Sequence, residues 1–324
     1  MNRRAFLTAV GGSLLASPLA PEAQQPRVYR VGVVLQGGPY LGAVDGLRKG
    51  LAELGLQEGR EVVLHVRDSR GDLKLAEQAA GDLEREKVEL IYAVGITATL
   101  AVKRATKDVP IVFVHPSDPI ASGIIKSATE PTKNLTGVAA YAAHTTAKRL
   151  ELFKEIIPGL RKILVFFDAN NSFSRDNLKI AEAATQRLGL QLSSYGIKST
   201  DELKTTVASL RSESGAGIFQ IADDLFESET EFLFETARQK KLPTMFNEEA
   251  WAIDGALAAY GPSYLEMGRQ AARLVDRIIK GEKPESLPVE RASKFDLTLN
   301  YRTATFIGIR FPEELLRKAQ KVIR

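Results

Sequence analysis

Three histidines and no cysteine bound the chemistry open to this 324-residue chain. His65, His115 and His144 form no pair at metal-ligand spacing, and no thiol can join them. His65 sits among valines, as a strand residue would, and His144 stands where a helix begins. His115 ends an apolar run just before Pro116-Ser117-Asp118-Pro119. With Ser117, Ser122 and Asp118 it has the residue types of a nucleophilic triad. Those residues are too close in the chain to take independent positions, and no Gly-x-Ser-x-Gly elbow is present. An exported hydrolase using the His115/Asp118 region is therefore the weaker alternative. Gly37-Gly38-Pro39 is neither a dinucleotide fingerprint nor a phosphate loop with its Lys-Ser/Thr ending. No catalytic residue, metal site or cofactor is expected.

What remains is a ring of polar residues at the ends of apolar runs. Gln36, Thr97, Thr99 and Asp118 come from the first half. Asp168, Asn170, Asn171, Asp223, Asp224, Asn247, Glu248 and Glu249 come from the second. Asp and Asn are also favoured as helix caps, so several of these have a structural role instead. Carboxylates such as Asp223 and Glu248 suit an ammonium group through charge-assisted hydrogen bonds. The amides at a helix start near Thr97 suit a carboxylate. Tyr40, Trp251 and Tyr260 are the aromatic candidates to pack on a ligand, with core packing as the competing role.

The elements that must position this ring alternate regularly. Residues 28–35 are nearly all apolar, as in a strand buried on both faces. Leu41, Val44, Leu47, Leu51 and Leu54 follow at helical spacing. Strands are predicted at 62–66, 88–94 and 111–114, with helices at 73–83 and 97–106 between them. The pattern restarts after Tyr141. Helices are predicted at 147–157, 177–188 and 265–279, with strands at 162–167, 190–195, 217–222, 243–246, 256–260 and 295–299. Ser199/Glu202 and Ser228/Glu231 are capping-box signals for two further helices. A helix over 312–323 ends the chain. Such an order predicts an α/β fold of two doubly wound parallel-sheet units, with ligands beyond the carboxyl ends of the strands. A cleft between the units is the default site.

Composition agrees with a globular protein: 44% hydrophobic and 26% charged. The first two dozen residues are different. Arg3 and Arg4 precede an uncharged apolar stretch from Phe6 to Ala20, with a small-residue exit near Ala23. That is the order of an export signal peptide over 1–23. The stretch is short of the ~20 residues a membrane span needs. Arg3-Arg4-Ala5-Phe6-Leu7 fits the twin-arginine pattern. A periplasmic product is expected, cleaved near Ala23. The formal charge of +4 is scattered among acidic residues, so no nucleic-acid partner is expected. A monomer is expected.

Several segments together resemble the ABC transporter substrate-binding protein family that includes the TrpX-like proteins. They are Leu51-Ala52-Glu53-Leu54-Gly55, Asp118-Pro119-Ile120-Ala121-Ser122-Gly123, Asn134-Leu135-Thr136-Gly137, Lys148-Arg149-Leu150-Glu151-Leu152, Leu287-Pro288-Val289-Glu290 and Lys294-Phe295-Asp296-Leu297. The resemblance covers essentially the whole chain. It implies a type I periplasmic binding protein fold with a three-crossing hinge. Lobe one would hold 27–141 plus 256–282, and lobe two 142–255 plus 283–324. It also implies a solute receptor for an ABC importer, partnered by a permease and its ATPase, or a solute sensor for a signalling receptor. The matching pocket positions would be Gln36, Thr97 and Asp118 in the first lobe, and Asn170, Asp223 and Glu248 in the second. Tyr40 and Tyr260 would complete the ligand-binding set. Asp224 and Glu249 depart from tryptophan-type relatives and add negative charge.

Overall fold

A computed structural model describes residues 27–127, 133–221 and 229–324. The expected signal peptide, Asp223 and Asp224 lie outside the described residues. No helix among the described residues is long and apolar enough to cross a membrane.

The first sheet runs in the order β11-β5-β4-β3-β1-β2, where β1 is Tyr29–Leu35, β2 Val62–Asp68, β3 Leu90–Val94, β4 Ile111–His115, β5 Leu135–Ala139 and β11 Glu290–Arg291. All its pairings are parallel. Alternation along β1 divides its apolar residues between two cores. Val31, Val33 and Leu35 pack towards the helices Leu41–Glu53 and Tyr264–Ile279. Val34 packs towards Leu73–Arg85 and Ile96–Ala105. Helices on both faces explain why β1 reads as an unbroken apolar run.

The second sheet runs β13-β12-β10-β9-β8-β6-β7, with β6 Lys162–Asp168, β7 Gln191–Ile197, β8 Ala216–Phe219, β9 Thr244–Phe246, β10 Ala258–Pro262, β12 Phe295–Asn300 and β13 Lys321–Ile323. It is parallel except where β10 meets β12. Ile163 and Val165 face one core, and Leu164 and Phe166 the other.

The chain passes between sheets three times: after β5, after β10 and after β11. The passages fall at different residues from those expected. Strand β10 falls within the 256–282 expected in the first lobe, yet it pairs with β9 and β12 in the second sheet. Only the Tyr264–Ile279 helix after it packs on the first sheet. Within 283–324, expected in the second lobe, β11 pairs instead with β5 in the first sheet. The terminal segment is not one helix: Glu313–Lys318 is helical, and β13 then pairs with β12.

Close helix contact draws Tyr264–Ile279 to the first sheet. A Cβ on Gly46 would lie 2.0 Å from the Leu265 carbonyl oxygen, and one on Gly268 would lie 2.1 Å from that of Ala43. The two backbones touch where side chains would otherwise hold them apart. Around this contact Val44, Leu47 and Leu51 bury against Met267, Ala271 and Val275 in one core.

Candidate functional site

The carboxyl ends of the parallel strands carry the polar residues singled out above, and several are committed to the fold. Gln36 directly follows β1. Its Oε1 accepts the backbone N–H of Thr97 at 2.9 Å. Gly95, at φ 99°, turns the chain so that Gln36 can reach the start of the Ile96–Ala105 helix. The Thr97 amide, expected to meet a ligand carboxylate, therefore already has a partner. Thr97 also borders an open hollow of about 490 Å³ with Gly71, Leu73, Leu100 and Arg104. Thr99 is buried and donates its hydroxyl to the Gly95 carbonyl, inside its own helix.

Asp118 is half-buried, and its Oδ1 accepts the N–H of Ile120 at 2.8 Å, closing its own turn. His115 is fully buried, with Nε2 2.9 Å from Ser122 Oγ and 3.2 Å from Ser117 Oγ. Burial pulls its pKa down to about 4, against a smaller opposing effect of Asp118. The Ser122 hydroxyl donates to the Asp118 carbonyl at 2.9 Å, so it accepts from a protonated Nε2. That tautomer is assigned from the hydrogen-bond network. These contacts tie His115, Ser117, Asp118 and Ser122 together within one turn.

In the second sheet Asn170 is exposed and donates its N–H to Asp168 Oδ1 at 2.7 Å. Glu249 pairs with Lys321 on β13. Trp251 packs on Phe246. Tyr260 is half-buried on β10 and stacks on Phe295, ring centroids 6.1 Å apart.

Glu248 is different. It begins the Glu249–Asp254 helix, but its side chain makes no cap hydrogen bond. It is 7% exposed, and burial pushes its carboxyl up to about 7, with Tyr264 pulling the other way. The Tyr264 hydroxyl is buried beside Glu248 and Tyr40, without a partner in well-formed hydrogen-bond geometry. The Tyr264 and Tyr40 rings meet edge to face at 4.9 Å. Tyr40 precedes the first helix of the first sheet, and Tyr264 opens the helix packed there. A carboxyl from the second sheet thus meets Tyr264, and through it Tyr40, both anchored on the first. Of the expected set, the structure joins Tyr40 and Glu248 in this way and links Gln36 to Thr97. Asp118, Asn170 and Tyr260 each hold local contacts.

Sequence reasoning did not single out Tyr264 or Arg149 as site residues. Arg149 is 2% exposed in the helix Thr146–Ile156. Its Nη1 donates to the Gln220 carbonyl at 2.7 Å, and its guanidinium lies 4.6 Å from the Phe219 ring centroid. Burial lowers its pKa to about 9. The signal available was an arginine set among the apolar positions Leu150, Leu152 and Phe153.

Comparison with known proteins adds to this geometry. The model of the family "ABC transporter substrate binding protein" matches residues 30–323. A tyrosine-binding protein of Clostridioides difficile (strain R20291) is 25% identical over 261 residues, covering 81% of this chain and 75% of that protein. An ABC domain from Streptococcus pneumonia, solved in complex with L-Trp, superposes with TM-score 0.74 at 24% identity, covering 91% of this chain and 99% of that one. The ligand-free, open structure of a Clostridium difficile substrate binding protein gives TM-score 0.74 at 22% identity, covering 91% and 99%. The fold is that of a type I periplasmic binding protein, two doubly wound parallel-sheet lobes.

Proposed function

This chain belongs to the ABC transporter substrate-binding protein family, and from that premise we propose that it is a monomeric extracytoplasmic receptor for an amino acid, an aromatic one foremost. The solute binds in the seam between the lobes and is delivered to a permease driven by an ATPase. The observation that carries this reading is Glu248, a buried carboxyl of the second lobe beside Tyr264 of the first, whose ring packs on Tyr40. Burial holds the Glu248 proton on towards neutral pH, and a ligand ammonium group would favour the charged form by pairing with it. The aromatic pair offers an apolar wall for a ring. What the relatives bind, tyrosine and L-Trp, has this same combination of groups.

The work asked of the protein is a change of shape. A ligand that touches both lobes only when they are closed shifts the population to the closed state. The three passages between sheets form the hinge in this reading. Each lobe keeps its own sheet and cores, so closure leaves the packing inside a lobe intact.

Native mass spectrometry of the purified protein and a thermal-shift panel of amino acids test the proposal. L-Tyr or L-Trp at 100-fold excess over its dissociation constant adds about 2.7 kcal/mol of stability. Glu248→Gln weakens that binding about 10- to 100-fold, as expected for removal of a charged hydrogen-bond partner. No shift with any amino acid, or turnover of a bound compound, would overturn the reading.

A further inference from the structure

Arg149 carries a charge that no carboxylate among the described residues answers. Its Nε is buried without a partner. The Gln220 carbonyl and the Phe219 ring are its compensation. A buried cation without a counter-charge is costly, and an apolar side chain of the same length would suit the surrounding core better.

Its place in the fold explains where a counter-charge could come from. The Thr146–Ile156 helix follows the first passage between sheets and leads into the start of β6, so it runs antiparallel to the strands. Its first turn, which holds Arg149, therefore lies at their carboxyl ends. Gln220 directly follows β8, and Asn247 directly follows β9. Strand alternation puts Asn247 on the same sheet face as Phe219 and Met245, the face this helix covers. The Asn247 Oδ1 is also buried without a partner. An orphan donor, an orphan acceptor and Glu248 thus stand at neighbouring strand ends, where ligands of parallel sheets bind. The rival anion receptor is weaker, because Gln36 already takes the Thr97 amide.

Resting on the receptor reading above, we propose that Arg149 is the counter-charge for the ligand's carboxylate, with Asn247 and Glu248 receiving its ammonium group. The second lobe then recognises both ends of an amino-acid zwitterion, and the first lobe closes over the side chain. On binding, the guanidinium gains a charge-assisted partner while keeping its bond to Gln220.

The test is calorimetric titration of the full chain, wild type and Arg149→Met, with L-tryptophan and with tryptamine, which lacks the carboxylate. Wild type should bind L-tryptophan about 10- to 100-fold more tightly than tryptamine. Arg149→Met should lose that same factor for L-tryptophan and bind tryptamine at least as tightly as wild type, which also shows that the variant is folded. A purely structural arginine would leave the ratio between the two probes intact, and that result overturns the proposal. Should the variant not fold, L-tryptophan methyl ester on wild type decides: affinity equal to that of the free acid overturns it. If wild type binds no amino acid, the receptor reading fails on its own. Arg149-dependent binding of indole-3-propionate would then still support the anion site, and no binding of that probe would end it.

Discussion

The Arg291 guanidinium stacks over the Tyr141 ring, 4.6 Å from its centroid, and so ties the first passage between the lobes to the third. Tyr141 follows β5 in a left-handed conformation, φ 50°. Such a conformation is unfavourable for a side chain of this size and persists where the surroundings enforce it. The third passage is fixed in turn to the helix that follows the second. The Gln270 Oε1 accepts from both the N–H and the hydroxyl of Ser293 at 2.9 Å, and its Nε2 donates to the Arg291 carbonyl at 3.0 Å. The three passages between the sheets are thus bonded to one another, away from Glu248 and Tyr264.

Arg291→Ala removes the stacking and should cost about 0.5–1 kcal/mol of stability. Urea unfolding measures the loss. Small-angle scattering of the unliganded variant should also show a broader spread of interlobe separations than wild type. An unaltered profile would mean that the stacking does not restrain the hinge.

Two buried titratable groups should oppose each other as pH changes. His115 is lowered to about 4 in the folded state from an ordinary 6.5. Only the unfolded chain takes up this proton between those values, so its contribution is present above 6.5 and lost as pH falls. Glu248 is raised to about 7 from an ordinary 4.5. The folded chain holds this proton longer, so its contribution is present below 4.5 and lost as pH rises through 7. Each effect is on the order of 3 kcal/mol over its window. Between about pH 4.5 and 6.5 the two slopes should cancel in wild type. Denaturant midpoints across this range should stay level for wild type, fall with rising pH in His115→Gln, and climb with rising pH in Glu248→Gln. Parallel curves for the three proteins would refute the pairing.

The contact between the Leu41–Glu53 and Tyr264–Ile279 helices tolerates no methyl group. Gly46→Ala and Gly268→Ala each place a Cβ about 2 Å from a backbone oxygen of the opposite helix. Overpacking against backbone should cost about 1–3 kcal/mol or more in each variant. Because Tyr264 opens one of these helices, ligand affinity should fall together with the unfolding midpoint. Stability equal to wild type would show that the helices can separate at no cost.

Much of this architecture is legible in the chain alone. Apolar runs such as 28–35 and 111–114, alternating with amphipathic helices, specify doubly wound sheets, because each strand buries both faces and each helix one. Gln36 and the Asn247-Glu248 pair stand out for the same reason: they are polar residues just beyond a buried strand. Short elements without such a pattern escaped notice. Strand β5 carries the small residues Thr136 and Gly137, and β11 is only Glu290–Arg291.

Tertiary structure decided which sheet each element joins and which polar groups find partners. An apolar run looks the same whichever neighbour it pairs with, so β10 could not be assigned to the second sheet from its own residues. Helical periodicity marks the buried face of 264–279 but not what covers it; Gly46 and Gly268 settle that only once their backbones meet. Arg149 and Lys148 are adjacent cations in one motif, and packing alone buries the first and leaves the second in water. The meeting of Glu248 with Tyr264 and Tyr40 joins groups distant in the chain. Local sequence specifies faces and ends, whereas contacts between them depend on the whole fold closing at once.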